Sequence, residues 1–285
     1  MRSLLPGPNT RREIGYQVAT IGLGPLLIAQ ALRVRREIVR LAEPPGARCG
    51  SEGTGASLRL LIAGDSAAAG VGARTQEEAL SGQLVAHLRP ARHVHWKLVA
   101  QTGHSVRDMI EQLQALAPER FDVAVVSIGV NDATGRTRSG KWTERLAKLI
   151  ELLKTKFGVA HILLSSLPPM HVFPALPQPL RWYLGMRARQ LNGLLQAIAE
   201  RDACCEFLQI DFPFEESYVA SDGFHPAAPA YSAWAAVAAR AIRRRIGAQA
   251  AGEPPFTPAN AAAPPLVPAP CSPYDDRPDA AKTQQ

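Results

Sequence analysis

Leu58-Arg59-Leu60-Leu61-Ile62-Ala63-Gly64-Asp65-Ser66 is a short apolar run that ends in a glycine, a carboxylate and a hydroxyl, and its reading decides the fold. A run this short, with no helical spacing and a break at glycine, reads as a buried strand. A second run, Phe121-Asp122-Val123-Ala124-Val125-Val126-Ser127-Ile128, ends in the same manner at Gly129-Val130-Asn131-Asp132. Three more runs follow the pattern: Val94 to Ala100, His161 to Ser165 and Glu206 to Ile210. Between them lie helical spacings over Glu77–Leu88, Val106–Leu116, Thr143–Lys156 and Leu180–Arg201, with Tyr231–Ile246 last. Strands alternating with helices imply parallel strands joined by right-handed crossovers, hence a three-layer α/β/α sandwich. In such sheets ligands bind beyond the carboxyl ends of the strands, where both polar blocks fall.

The 285 residues divide by composition into one core-bearing domain and two flanks of different character. Residues 58–247 carry the regular periodicity. Residues 46–57 are rich in Pro, Gly, Ser and Ala and read as a linker. Residues 248–285 form a Pro/Ala-rich tail expected to be disordered. Residues 1–45 hold an uncharged stretch, Gly15 to Leu32, followed by Arg33, Arg35, Arg36 and Arg40. That stretch is just long enough to cross a bilayer. Its Gly22, Gly24 and Pro25 make a surface-docked helix nearly as good a reading. The arginines after it outweigh Arg11 and Arg12, which by the positive-inside rule favours a cytoplasmic domain attached to the inner membrane; the alternatives are a signal for export and a segment that packs on its own domain.

The net charge of +7 does not gather along any nucleic-acid recognition module, so no nucleic-acid partner is expected. The four cysteines, Cys49, Cys204, Cys205 and Cys271, lack metal-binding spacing and are expected to be reduced. No metal site is read from them.

The chemistry is carried by four blocks. Ser66 stands where a strand gives way to a small-residue helix start, and the exposed N–H groups of a helix N-terminus suit a developing oxyanion. Asp222-Gly223-Phe224-His225-Pro226 supplies a base, His225, with Asp222 three residues earlier to hold its tautomer. Pro226 fits the first position of the following helix. Gly103, after the second strand, can bring a backbone N–H close to substrate, and Asn131 offers a side-chain amide. Each residue alone has a plain structural reading as a cap or a turn residue. In this order and at strand ends, the four read as a serine nucleophile with its base and its oxyanion donors.

These blocks resemble those of the SGNH, or GDSL-type, hydrolase superfamily over about Leu58 to Ile246. The resemblance places the four signature residues at Ser66, Gly103, Asn131 and His225, with Asp222 as third triad member. It implies a flavodoxin-like sheet of five parallel strands in the order 2-1-3-4-5, and no metal or organic cofactor. It departs from the family's pattern in Gly-Asp-Ser-Ala where Gly-Asp-Ser-Leu is fuller, and in Gln101 where many members carry Asn two residues before the glycine.

The Pro-rich segment Leu167 to Leu180 follows the fourth strand and reads as a lid, with Met170, Phe173 and Leu176 turned toward an acyl chain or packed on the domain. The expected function is a serine esterase that acts on an acyl or lipid-derived ester at or near a membrane surface. The alternatives are a thioesterase, a carbohydrate acetylesterase or acyltransferase of the same fold, and a non-catalytic binding module.

Overall fold

The computed structural model describes residues 22–135, 137–211 and 215–250. The chain runs through α1 (Gly24–Glu37), β1 (Cys49–Glu52), β2 (Ser57–Gly64), α2 (Ser66–Ala69), α3 (Leu80–Leu88), β3 (His93–Ala100) and α4 (Val106–Ala115). It continues through β4 (Val123–Ser127), α5 (Val130–Thr134), α6 (Ser139–Phe157), β5 (His161–Ser165), α7 (Leu180–Ala199), β6 (Cys205–Leu208) and α8 (Ala228–Ala250).

The sheet has six strands in the order β1-β3-β2-β4-β5-β6. The five strands from β2 onward are parallel and take the expected 2-1-3-4-5 order. The sixth is a correction. β1 lies in the segment expected to be a linker and pairs antiparallel with β3, Cys49 opposite Lys97 and Glu52 opposite Val94. Its sequence, Cys-Gly-Ser-Glu, has no apolar alternation because the strand sits at the exposed edge and buries almost nothing.

Both faces of the sheet are covered, and the alternation of side chains feeds two separate cores. Leu61, Ala63, Ala124, Val126, Ile162 and Leu164 point into one, against α4, α6 and α7. Leu60, Ile62, Val123, Val125 and Leu163 point into the other, against α3 and α8. Helix α6 is anchored by Trp142, Leu146, Leu149 and Phe157, all essentially inaccessible. Helix α8 packs through Tyr231, Trp234, Ala235, Ala238 and Ile242.

Strand register positions the site. Gly64 at the end of β2 is level with Ala100 of β3 and with Ser127 of β4. The three loops that follow therefore leave the sheet at one height and side by side. Gly64 is required by this closeness, since a Cβ there would lie 2.1 Å from the carbonyl oxygen of Ser127.

Helix α1 lies along α7. Leu27 is buried, and the Gln30 amide donates to the carbonyl of Gln178 while its oxygen accepts the Leu180 N–H. Among the described residues, no helix is long and apolar enough to cross a membrane. Gly15–Ile21 of the uncharged stretch and residues 251–285 of the tail lie outside the described residues. Cys204 and Cys205 are free thiols, whereas Cys49 is disulfide-bonded, which corrects the expectation of four reduced cysteines.

Candidate active site

Ser66 opens α2 directly after β2. Asp65 caps that helix, its side chain accepting the Ala67 N–H at 3.2 Å, and so fixes where the serine sits. Ser66 Oγ lies 2.9 Å from Nε2 of His225, 159 residues further along the chain. The other ring nitrogen, Nδ1, lies 2.5 Å from Oδ2 of Asp222. Asp222 Oδ1 accepts the backbone N–H groups of Phe224 and His225, each at 3.0 Å. The carboxylate is thus held at one oxygen by the backbone and aimed at the ring with the other. Burial works against its charge, but hydrogen bonds from the His225 ring and from the backbone N–H groups of His225 and Phe224 outweigh it and keep Asp222 below the usual carboxylate value.

The tight turn that brings Asp222 under His225 needs Gly223, which has φ +68 and no room for a side chain beside Ala175. Helix α8 begins at Ala228, so Pro226 lies two residues before the helix rather than at its first position.

The donor loops sit beside this triad. Gly103 has φ +87, and a Cβ there would meet no atom within 4 Å, so the residue borders open space. The turn around it is closed by His104 N–H to the Gln101 carbonyl, and it exits into α4 through Ser105, whose N–H and hydroxyl both donate to Asp108. The Asn131 amide donates one hydrogen to the carbonyl of His104 at 2.9 Å, joining the second donor loop to the first. Asp132 accepts the Val106 N–H at 2.9 Å and adds a second tie between the same loops. Burial raises the Asp132 carboxyl above its ordinary value.

A pocket opens on the His225 side of Ser66. Its wall includes Ile128, Val130, Leu167, Pro168, Pro169, Phe173, Phe224, Ile210 and Trp234 around the polar Asp65, Ser66, Ser127, Ser165, Ser166, Tyr218 and His225. Gly103 and Asn131 are not part of its wall. Of the three lid residues, Phe173 lines the pocket and meets Phe224 edge-on at 5.1 Å between ring centroids. All three are buried in the α4–α6–α7 core, and Met170 and Leu176 do not reach the pocket wall. Ile128, Val130 and Phe224 were legible as neighbours of the motif residues. Ile210 and Trp234 were not, because nothing local in the sequence turns a residue of the sixth strand's exit or of a terminal helix toward Ser66.

Asp65 is the other ionisable group here. It is fully buried, and burial pushes its carboxyl up to about 7 against the pull of the Ala67 N–H and of His225. The remaining histidines play structural parts. His93 and His95 stack on each other beside Ser51, and His161 meets Glu206 at 3.0 Å. Among the described residues, no three His, Cys, Asp or Glu side chains converge to hold a metal ion.

The sheet order and the Ser-His-Asp arrangement define the class, a serine hydrolase on an α/β/α sandwich. The chain belongs to the GDSL-like lipase/acylhydrolase family, whose model matches residues 62–233. It is 28% identical over 243 residues to the GDSL-like esterase Rv1075c of Mycobacterium tuberculosis, covering 75% of this chain and 74% of that one. In fold it is similar to a carbohydrate esterase family 2 enzyme of Corynascus thermopiles (Myceliophthora fergusii), with TM-score 0.54, 18% identity and 68% of each chain covered. A member of the lipolytic G-D-S-L family from Veillonella parvula gives TM-score 0.53 at 18% identity, over 66% of this chain and all of that one.

Proposed function

We propose that the chain hydrolyses a carboxylic ester with an apolar acyl group, through an acyl-enzyme on Ser66. The observation that carries this is the unbroken line Ser66 Oγ, His225, Asp222, with contacts of 2.9 and 2.5 Å, at the mouth of an apolar pocket. His225 Nε2 takes the hydroxyl proton as Oγ attacks the carbonyl carbon, and Asp222 stabilises the imidazolium that results. The oxyanion is received by the N–H groups of Ser66 and Gly103 and by the second hydrogen of the Asn131 amide. Collapse of the tetrahedral intermediate returns the proton to the leaving alcohol, and water activated by the same ring then releases the acid. Pocket chemistry favours this substrate over an acetylated sugar or a bulky thioester, since its wall offers few polar groups beyond the serines and His225. The intact line of three side chains argues against a non-catalytic binding module.

The test is turnover of p-nitrophenyl esters from acetyl to palmitoyl by the wild type and by Ser66→Ala. A Ser66-dependent optimum beyond acetyl supports the reading. Equal turnover by the variant, or failure of a fluorophosphonate to label Ser66, removes it.

We further propose that this ester is lipid-derived and that the chain meets it at a membrane surface. The six exposed large apolar side chains among the described residues are Leu26, Ile28, Leu32, Val39, Val172 and Trp182. Four belong to α1 or the residues just after it, and the other two to the lid and to α7, which α1 packs against. Arg33, Arg35, Arg36 and Arg40 accompany them and would attract anionic headgroups. Contact of this kind is superficial rather than spanning. The arginines favour the cytoplasmic face for that contact. Ile28→Asp/Leu32→Asp should abolish sedimentation with vesicles containing phosphatidylglycerol, and unchanged binding would remove the surface contact.

A further inference from the structure

Gly103 has open space around it, so the aim of its N–H depends on what holds the residues on either side. The His104 side is held by Asn131, as described. The Thr102 side is held from far away in the sequence. Glu43 Oε1 accepts both the backbone N–H and the hydroxyl of Thr102, each at 2.7 Å. Glu43 Oε2 pairs with Arg48 Nη1 at 2.8 Å, with both side chains largely buried. Arg48 Nη2 in turn donates to the carbonyl of Ala100, and the Arg48 carbonyl accepts the Leu98 N–H at 2.6 Å. One carboxylate and one guanidinium thus grip the end of β3 and the loop as far as the residue preceding the glycine.

The same segment also touches the nucleophile helix. The Pro45 carbonyl accepts the Gln76 N–H at 2.9 Å, and the Gln76 amide donates to the carbonyls of Pro44 and Ala69, the last residue of α2. Residues 43–48 therefore reference the oxyanion loop and the serine helix to one another. They lie outside the span 62–233 that the family model matches.

We propose that Glu43, neutralised by Arg48, is a positioning residue of the oxyanion hole, fixing the Thr102 peptide so that the Gly103 N–H stays aimed at the developing oxyanion. The inference rests on the oxyanion role proposed for Gly103 above. The arginine matters as much as the contact does. An unpaired carboxylate near an oxyanion hole would oppose the negative charge of the transition state, whereas the Glu43–Arg48 pair presents acceptor oxygens with little net field. A loosened donor harms the transition state more than the bound substrate, so the effect belongs in kcat rather than in KM.

The test measures kcat, KM and melting temperature for Glu43→Ala, Glu43→Gln, Thr102→Ala and the Glu43→Ala/Thr102→Ala double variant, with concentrations set by fluorophosphonate titration of Ser66. Removing an oxyanion donor outright costs about 10²–10³ in kcat, and loosening one should cost about tenfold. The expected result is a kcat lowered about tenfold in Glu43→Ala with KM within about twofold. Glu43→Gln, which keeps the acceptor oxygen, should restore much of it, and the double variant should be no worse than Glu43→Ala alone. Ser66-dependent turnover with an unchanged kcat in Glu43→Ala overturns the positioning role while leaving the reaction standing. A loss that merely tracks a fall in melting temperature, with no rescue by Gln, also overturns it. Absence of any Ser66-dependent turnover in the wild type instead removes the underlying reading of the site.

Discussion

Asp222→Asn is isosteric, yet the structure makes it a severe lesion. Position 222 has two different duties at its two side-chain oxygens. Oδ1 accepts two backbone N–H groups at 3.0 Å, and Oδ2 faces Nδ1 of His225 at 2.5 Å. An asparagine must keep its oxygen on the two backbone donors, because its NH2 placed there would face hydrogens. The NH2 is thereby turned to Nδ1 and must donate to it. The ring then carries its own proton on Nε2, the nitrogen 2.9 Å from Ser66 Oγ, and cannot accept the serine proton. The wrong tautomer is locked in by the same hydrogen bonds that normally select the right one. A loss of about 10³–10⁴ in kcat/KM is expected, or about 4–5.5 kcal/mol of transition-state stabilisation. The assay is kcat/KM on a short-chain p-nitrophenyl ester, with fluorophosphonate labelling rate as a second readout of Ser66 reactivity. Asp222→Ala is the informative companion, since it leaves Nδ1 free to choose and should be no less active than the isosteric variant. An Asp222→Asn enzyme within tenfold of wild type, or one clearly better than Asp222→Ala, would refute the reasoning.

Gly64→Ala would drive a Cβ to 2.1 Å from the Ser127 carbonyl and should prevent folding, whereas Gly103→Ala meets nothing within 4 Å and carries only the cost of its positive φ, about 1–2 kcal/mol, which circular dichroism melts should separate. Because Asp65 keeps its proton in the folded state up to about pH 7 while the unfolded carboxyl releases it near 3.8, wild-type stability should fall as pH rises through that window. The drop is on the order of 4 kcal/mol, levels off above it, and should be absent in Asp65→Asn; parallel stability profiles for the two proteins would contradict this. Phe173→Ala should open the pocket beside Phe224 and move the acyl-length optimum upward by a few carbons, with an unmoved optimum showing that the acyl chain lies elsewhere.

Strands β2, β4 and β5 were legible because each is buried on both faces nearly throughout, which leaves an uninterrupted apolar run such as Val123 to Val126, whereas β3 shows itself by alternation, His93, His95 and Lys97 half-exposed between buried Val94, Trp96 and Leu98. Helix starts were less so: α3 begins at Leu80 rather than Glu77, and α6 at Ser139 rather than Thr143, and the residues before them, Ala79 and Arg138, make no side-chain cap that would mark the start. That Ser66, Gly103 and Asn131 fall just after strands was legible from the apolar runs before them, and the pairing of His225 with Asp222 from their spacing of three. The way their neighbours are held was not. Glu43 reaches Thr102 across 59 residues, a relation with no local pattern. Met170 and Leu176 look identical to Phe173 as apolar residues in a loop, and only the three-dimensional course of the lid buries all three in the core while letting Phe173 alone reach the pocket wall.

The short antiparallel strand Cys49–Glu52 has a consequence for how the protein behaves in company. Without it β3 would be the outermost strand, eight residues paired to β2 on one side and presenting unpaired N–H and C=O groups on the other, with a largely apolar sequence from Trp96 to Ala100. Such an edge recruits copies of itself. β1 instead offers four residues, almost all exposed, ending in a glutamate, with Gly50 lying against the Trp96 indole where a side chain would not fit. A domain cut at Ser57 would keep Ser66, Asp222 and His225 and still be expected to precipitate, as exposed strands pair edge to edge.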